Sequence, residues 1–232
     1  TTFADIPAGT GLGSSSSFAV GLMHALYALK GQYVTKYTLA ESAAQIEINI
    51  LKRTMGKQDH YAASYGNLNI FTFQPDESVV VEPVFYQMEV KNTLDDNLML
   101  FYTKLKRDAS EVLKTQNRAI SKKRKVLQKM RDLVHPLKDV LSGKNNVNVF
   151  GEILHKNWML KKSITDQVSS AKIDVYYDKA IAAGAIGGKL LGAGGGGFLL
   201  FYVEKKNQNS VREVLSELYE LKFELDTDGT RI

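Results

Sequence analysis

The side chains best suited to chemistry lie in two glycine-rich stretches and in an acidic pair between them. The first stretch, PAGTGLGSSSSF (residues 7–18), places three glycines and four serines directly before an apolar helical pattern. The first N–H groups of a helix have no intrahelical partners, and the helix dipole adds partial positive charge there. Glycine lets the backbone fold around an anion, and serine hydroxyls can bind phosphate oxygens or a cation. The stretch is therefore built like a phosphate-binding loop.

Other readings of this first glycine stretch are a plain glycine-rich turn with serine caps, a Walker loop and a Rossmann turn. The turn stays open, because short glycine patterns are common. No Gly-Lys-Ser or Gly-Lys-Thr occurs in the chain, which disfavours a P-loop NTPase. No clear buried strand precedes the stretch, which counts against a Rossmann unit.

The acidic pair consists of Glu47 and Asp59, twelve residues apart. Glu47 lies among isoleucines on a predicted helix, where a buried carboxylate is costly unless a cation pairs with it. Asp59 lies in GKQDHYAASYG (residues 56–66), and the adjacent Lys57 could lower its pKa. Phosphoryl transfer needs a divalent cation and a group that orients or deprotonates the acceptor hydroxyl, which are roles for two such carboxylates. An exposed helix charge and a loop or N-cap aspartate remain the alternatives, and His60 is favoured as a hydrogen-bonded loop residue.

The second glycine stretch is GAIGGKLLGAGGGGF (residues 184–198), with eight glycines between residues 184 and 197. Its flanks are apolar and strand-like, whereas a flexible linker would be polar. The glycines must therefore permit positive φ or close backbone approach. A tight turn packed against the first glycine stretch would serve both the fold and a phosphate site.

Composition limits the classes of protein that the chain can represent. Its 232 residues, 44% of them hydrophobic, are enough for two lobes with buried cores. Because cysteine is absent and the four histidines show no ligand spacing, we expect neither a disulfide framework nor a structural metal, and a reducing cytoplasm is the simplest compartment. We expect neither an export signal nor a membrane-spanning run within this stretch of sequence. The basic segment at 118–131 carries an apolar side, which favours a solvated helix face over a nucleic-acid site.

Helices and strands must hold these groups in place. An apolar period of three and four residues predicts a helix from Ser14 that ends at Gly31, and a second helix over 38–53 with Thr35 or Thr38 as its cap. Residues 56–66 are expected to form a loop with about one helical turn. Strands are predicted at 67–73, 79–90, 98–103, 198–204 and 222–225. A helical pattern runs from 108 to about 170, with breaks near His135-Pro136 and Ser142-Gly143, and resumes at 174–183 before a last helix at 208–220. The polar segment at 91–97 is expected to be turn-like and to mark a domain boundary.

Taken in order, PAGTGLGSSSS, GKQDHYAASYG and KLLGAGGGGF resemble the second motif, the catalytic-aspartate segment and the third motif of the GHMP kinases. The chain is most similar to the heptose 7-phosphate kinases and related L-fucose kinases of that family. The resemblance implies a two-lobed α+β fold: an N-terminal lobe (1–93) like domain 2 of ribosomal protein S5, lacking its first strands, and a ferredoxin-like C-terminal lobe (94–232). ATP and Mg²⁺ would bind between the lobes. The arginine and GGGTD-like turn of the family's first motif do not occur before the first glycine stretch.

The resemblance also assigns roles to individual residues. Asp59 would lie beside the acceptor hydroxyl as a general base or an orienting group, Ser15 and Glu47 would hold Mg²⁺, and Lys57 and Lys189 are further candidates for stabilising charge. The residues that would bind ATP or support its phosphate loop are Pro7, Ala8, Gly9, Thr10, Gly11, Leu12, Gly13, Ser14, Ser15, Ser16, Gly194, Gly195 and Gly196.

The activity implied by the resemblance is ATP-dependent phosphorylation of the anomeric hydroxyl of D-glycero-D-manno-heptose 7-phosphate to the 1,7-bisphosphate. His60 stands where that subfamily usually has glutamine, so an L-fucose or other hexose 1-kinase remains an alternative, as does a non-catalytic nucleotide- or sugar-binding relative. The expected partner is a small sugar or sugar phosphate, with no nucleic acid and no membrane. A homodimer stays open.

Overall fold

The computed structural model describes residues 4, 6, 9–105 and 109–232 of the chain. These residues belong to two compact units, each with its own packing. Unit 1 contains residues 13–84 and 225–232, and unit 2 contains residues 9–12 and 85–224. The first glycine stretch thus contributes residues to both units.

The described residues of unit 1 form three α-helices, a π-helical segment and an antiparallel strand pair. In chain order these are α1 (Ser14–Leu29), α2 (Lys36–Ala44), the π-helical segment (Gln45–Ile50), α3 (Gln58–Tyr65), β1 (Asn69–Phe73) and β2 (Val79–Pro83). The hydroxyl of Thr35 accepts a hydrogen bond from the backbone N–H of Thr38, which confirms Thr35 as the cap of α2.

Helix α1 is confirmed at its predicted position, but the apolar stripe that predicted it does not form the buried face. Phe18, Leu22, Leu26 and Leu29 are 44–83% exposed. The buried side is centred on Val20, which packs in a cluster with α2. The regular apolar spacing therefore predicted the helix correctly, but it did not predict which face of the helix is buried.

Two local predictions in unit 1 need correction. The predicted helix over 38–53 changes to π-helical geometry at Gln45 and ends at Ile50. Residues 56–66 were expected to be mostly loop, yet Gln58–Tyr65 form the eight-residue helix α3. In α3 Tyr61 is fully buried among aromatic neighbours, and this packing stabilises a helix too short to persist alone.

Unit 2 is a four-stranded antiparallel sheet with six α-helices among its described residues. The elements are α4 (Met88–Asn97), β3 (Leu98–Tyr102), α5 (Ala109–Asp132), α6 (Val134–Leu141), α7 (Val149–Lys162), α8 (Ala171–Ala182), β4 (Gly187–Leu190), β5 (Phe198–Tyr202), α9 (Gln208–Val214) and β6 (Tyr219–Leu221). The strands lie in the order β4-β5-β3-β6. If β3 to β6 are numbered 1 to 4 within this sheet and the order is read from β6, it is 4-1-3-2. Helical crossovers join β3 to β4 and β5 to β6, as in ferredoxin-like folds.

The core of unit 2 forms between the sheet and its helices. Trp158 of α7, Tyr177 of α8 and Leu190 of β4 are almost completely buried in one cluster with β3 and β5. Burial of large aromatic and aliphatic groups of this kind contributes about 1.5–3 kcal/mol per side chain. This cluster holds β4, and therefore the start of the second glycine stretch, against α7.

Four predictions for the chain from residue 79 onward differ from the structure. The predicted strand over 79–90 ends at Pro83, and the segment expected to be turn-like at 91–97 belongs to α4. The last helix is shorter than predicted, and the last strand lies at Tyr219–Leu221. The domain boundary between residues 93 and 94 stays a prediction. None of the helices in the described part of the chain is long and apolar enough to cross a membrane.

Candidate phosphate and cation site

The first glycine stretch has the backbone conformation that its sequence predicted. Gly9, Gly11 and Gly13 have φ values of +76°, +82° and +69°, which lie in the left-handed region that glycine adopts most readily. Gly13 directly precedes α1, and no side chain of the described residues caps that helix. The N–H groups of the first turn of α1 therefore remain available to an anion. Pro7 and Ala8, also predicted for this loop, lie outside the described residues.

The second glycine stretch packs against the part of the first stretch that belongs to unit 2. A Cβ on Gly11 would lie 2.8 Å from the carbonyl oxygen of Leu191, and a Cβ on Gly192 would lie 2.6 Å from the Cα of Gly11. A Cβ on Gly197 would lie 2.2 Å from the carbonyl oxygen of Thr10. Only glycines allow two backbones to approach this closely, so the predicted packing of one glycine stretch on the other is present in the structure.

Gly194, Gly195 and Gly196 face other neighbours. The N–H of Gly195 donates to the carbonyl oxygen of Val168 at 2.9 Å, and a Cβ on Gly194 would lie 2.7 Å from the same oxygen. A Cβ on Gly196 would lie 2.4 Å from the carbonyl oxygen of Leu105. These three glycines thus fix the turn within unit 2, and their role in binding ATP stays a prediction.

The predicted cation ligands, Ser15 and Glu47, are in direct contact in unit 1. The hydroxyl of Ser15 donates to Oε1 of Glu47, and Nη1 of Arg53 donates to both the Ser15 hydroxyl and Oε1 of Glu47, the latter at 2.5 Å. Glu47 is only 2% exposed. Burial raises the pKa of Glu47, but hydrogen bonds from Ser15 and His60 and the positive charge of Arg53 outweigh burial, and the pKa is lowered overall. The carboxylate is therefore held ionised.

His60 completes this network from the other side of Glu47. The His60 side chain is fully buried, and its Nε2 lies 2.8 Å from Oε2 of Glu47. Because a carboxylate only accepts hydrogen bonds, Nε2 must carry a proton. Nδ1 of His60 is buried with no hydrogen-bond partner among the described residues. His60 is hydrogen-bonded, as expected, although it lies on a helix rather than in a loop.

Asp59 lies in the first turn of α3, beside the start of α1. A Cβ on Gly13 would lie 3.4 Å from both Cβ and Cγ of Asp59, so the carboxylate lies against the glycine stretch. Although the side chain reaches solvent, desolvation raises the pKa of Asp59 above its ordinary value, with His60 opposing and Glu47 adding to this effect. The expected lowering by Lys57 is wrong, because Nζ of Lys57 binds the carboxylate of Glu41 at 3.0 and 3.1 Å.

Arg53 is the member of the site that sequence reasoning missed. The signal was present, because a buried Glu47 was expected to need a cationic partner and Arg53 follows six residues later. Glu47 is the buried residue of the π-helical turn Gln45–Ile50, and Arg53 follows that turn. Such turns occur often at functional sites.

The oxygen ligands of this site suit a hard divalent cation. Mg²⁺ prefers oxygen ligands and is usually held by one or two carboxylates together with substrate phosphates. The contact of Arg53 with both oxygens shows that positive charge is favourable at this point. The described residues contain no group of three or more His, Cys, Asp or Glu side chains that could hold a metal by themselves. Ser15 and Glu47 thus fit a cation whose remaining ligands come from phosphate and water.

Comparison with known proteins matches both halves of the chain to one family. The sequence profile of the GHMP kinases N terminal domain matches residues 1–67, and that of the GHMP kinases C terminal matches residues 137–221. The chain belongs to the GHMP kinase family, and the predicted α+β fold is confirmed.

Individual relatives are similar over almost the whole chain. A D-glycero-alpha-D-manno-heptose 7-phosphate kinase of Campylobacter jejuni is 29% identical over 99% of this chain and 69% of its own length. A galactokinase of Pyrococcus furiosus is 26% identical over 94% of this chain and 68% of its own length. The crystal structure of a D-glycero-D-manno-heptose 1-phosphate kinase from Bacteriodes thetaiotaomicron is 28% identical with a TM-score of 0.69, covering 99% of this chain and 65% of that one. The chain thus spans about two thirds of these relatives.

Proposed function

We propose that the protein carrying this chain is an ATP-dependent sugar kinase that phosphorylates the anomeric hydroxyl of D-glycero-D-manno-heptose 7-phosphate. The products would be the 1,7-bisphosphate and ADP. The observation that carries the proposal is the position of Asp59, whose carboxylate lies against Gly13 at the end of the first glycine stretch. An acceptor-orienting carboxylate next to a phosphate-binding loop is the arrangement that phosphoryl transfer requires. The similarity to a heptose 7-phosphate kinase supports the choice of sugar.

The predicted residues that the structure describes would divide the binding and catalytic roles among them. The backbone of residues 9–16 would bind the phosphates of ATP, and Gly194–Gly196 would support that loop. Ser15 and Glu47 would hold Mg²⁺, which when bound neutralises charge on the phosphate oxygens. Asp59 would accept a hydrogen bond from the anomeric hydroxyl and orient it, and its raised pKa makes it a better proton acceptor than an ordinary aspartate.

A hexose 1-kinase is the second candidate for this site. Galactokinases and fucokinase-containing proteins are also among the relatives, at 23–27% identity. This alternative differs in the sugar and not in the handling of ATP. A non-catalytic relative is disfavoured because Ser15, Glu47 and Asp59 are all present, with Ser15 bonded to Glu47 and Asp59 beside Gly13. A cytoplasmic location, a homodimer and the lack of nucleic-acid or membrane partners stay predictions.

The test is Asp59→Asn in the full-length protein, with Asp76→Asn as the matched control. Asp76 is an exposed turn residue of the same unit that bonds Ser78. ADP release would be followed by a coupled assay on sugars with and without a phosphate, and binding of a non-hydrolysable ATP analogue by calorimetry. We expect Asp59→Asn to lower kcat by about 10²–10⁴-fold with analogue binding unchanged, since positioned acid-base groups contribute that much.

The control should keep wild-type turnover. Near-normal turnover in Asp59→Asn would remove Asp59 from its role. Preference for free hexoses over the heptose phosphate would favour the second candidate, and analogue binding without turnover on any sugar in the wild type would favour a non-catalytic relative.

A further inference from the structure

Two half-buried lysines of unit 2 lie close together beside the second glycine stretch. Lys161, on α7, donates from Nζ to the carbonyl oxygen of Gly192 at 2.5 Å. Lys189, on β4, donates from Nζ to Oδ1 of Asn157 at 3.4 Å. Asn157 and Lys161 are four residues apart on α7 and so lie on one face of that helix. Both ammonium groups therefore occupy the same side of unit 2, where β4 leads into the glycines.

Within the part of the chain that the structure describes, no carboxylate balances this lysine pair. Among the described residues neither Lys161 nor Lys189 forms an ion pair with a carboxylate. Three other half-buried lysines, Lys57, Lys91 and Lys162, each contact an aspartate or glutamate. Two like charges that share a partly buried place repel each other and lose hydration. An anion bound between them would relieve both costs.

The pKa values of the two lysines are lowered, as expected for neighbouring ammonium groups that are partly buried. Burial, and secondarily the charge of Lys189, lowers the pKa of Lys161 to about 8. Burial lowers the pKa of Lys189 as well. Each ammonium has three N–H donors, and the contacts above use one on each. Donors thus remain for the oxygens of a ligand.

The position of the pair indicates which kind of anion it meets. Lys161 bonds the carbonyl of Gly192, and Gly192 is the residue whose backbone packs against Gly11 of the first glycine stretch. The pair is therefore attached to the loop that the proposed function gives to phosphates. A compact ammonium is a common ligand of phosphate oxygens.

We propose that Lys161 and Lys189 form a phosphate-binding site in unit 2, whose ligand is a phosphoryl group of the nucleotide or of a sugar phosphate. Both ligands carry the same chemical group, a phosphate dianion whose oxygens can accept hydrogen bonds from both lysines. The choice between them rests on the proposed function. A site for the phosphate already present on the sugar would give the protein a preference for sugar phosphates over free hexoses.

The first experiment measures binding of inorganic phosphate to the full-length protein by calorimetry. The variants are Lys161→Met and Lys189→Met, which keep the length of the side chain and remove its charge. Lys156→Met, at an exposed position of the same helix, is the matched control. We expect Kd to rise at least tenfold in the two variants and to stay within twofold of wild type in the control. A Kd that changes equally in all three, or in none, would overturn the proposal.

A second experiment needs no variant and so does not depend on folding of a mutant. Lysines of the wild-type protein are acetylated in the presence and absence of phosphate and quantified by mass spectrometry. Bound phosphate should slow the labelling of Lys161 and Lys189 and leave Lys156 unchanged. Equal labelling with and without phosphate would count against the site.

Repeating the labelling with two other probes identifies the source of the phosphoryl group. Protection by a non-hydrolysable ATP analogue alone assigns the site to the nucleotide, whereas protection by glucose 6-phosphate with the analogue already bound assigns it to a sugar phosphate. Protection by neither probe would refute the proposal. Because none of these measurements requires turnover, their outcome is independent of the Asp59→Asn test of the kinase activity.

Discussion

Replacing Glu47 with glutamine tests whether the buried network of unit 1 stabilises the fold. Its carboxylate accepts hydrogen bonds from Ser15, Arg53 and His60, and it is only 2% exposed. A glutamine keeps the volume but presents one oxygen and one NH₂ group, so at least one of the three donors would face another donor. The substitution also leaves the Arg53 cation without its anionic partner.

The loss of unfolding free energy in Glu47→Gln depends on how exposed each partner of the carboxylate is. Removing one member of a buried ion pair typically costs about 3–5 kcal/mol. Arg53 is 53% exposed in its side chain and can regain water, whereas His60 is fully buried and cannot. We therefore expect the lower end, about 3 kcal/mol, which corresponds to a fall in Tm of about 6–12 °C for a chain of this size.

The assay is urea unfolding followed by far-UV circular dichroism, with hydrogen exchange of peptides from α3 as the local readout. The matched control is Glu41→Gln, which weakens contacts to Lys57 and Tyr61 at a carboxylate whose side chain is 30% exposed. We expect a loss of about 1 kcal/mol in this control, because exposed pairs contribute little. Equal losses in the two variants, or unchanged exchange in α3 of Glu47→Gln, would refute a stabilising network at Glu47.

Two further predictions concern the glycine stretch and the cation site. Gly197→Ala should lower the free energy of unfolding by at least about 2 kcal/mol, because its methyl group would meet the carbonyl oxygen of Thr10 at a φ of +104°. Urea unfolding measures this, and Gly21→Ala, whose methyl group meets nothing within 4 Å, should cause no loss. Arg53→Gln should raise the affinity for Mn²⁺ in the presence of an ATP analogue several-fold, since it removes a cation from the predicted ligands. Electron paramagnetic resonance measures the free Mn²⁺. If Arg53→Gln has the same Mn²⁺ affinity as Lys52→Gln, a control at an exposed site, Arg53 does not compete with the cation for Ser15 and Glu47.

The glycine stretches were the most predictable part of the molecule. Their residue type has a direct physical meaning, because positive φ and close backbone approach exclude most other residues. The structure shows both at Gly11, which has a φ of +82° and packs on Gly192. Local chemistry was enough here, and no knowledge of the distant chain was needed.

The direction of burial was less predictable than the presence of a helix. In α1 the large apolar residues Phe18 and Leu29 are exposed, while the smaller Val20 is fully buried. Periodicity along the sequence cannot tell which side of a helix meets another element, because this depends on residues far away in the chain. The same limit explains α3, whose eight residues are stabilised by aromatic packing from other elements.

The two oxygens of Glu47 have different partners, and this difference explains the residue at position 60. Among the residues with a described position, only the buried Nε2–H of His60 bonds Oε2, whereas Oε1 accepts from Ser15 and the half-exposed Arg53. On the proposed function, a cation arriving from solvent would exchange with Arg53 at Oε1 while His60 keeps the carboxylate in place, as outer groups do around metal ligands. The glutamine that the heptose 7-phosphate kinase subfamily usually has at this position also carries an N–H donor. The change from glutamine to His60 thus concerns the hydrogen bond that holds Glu47 in place. It gives no reason to assign a different sugar.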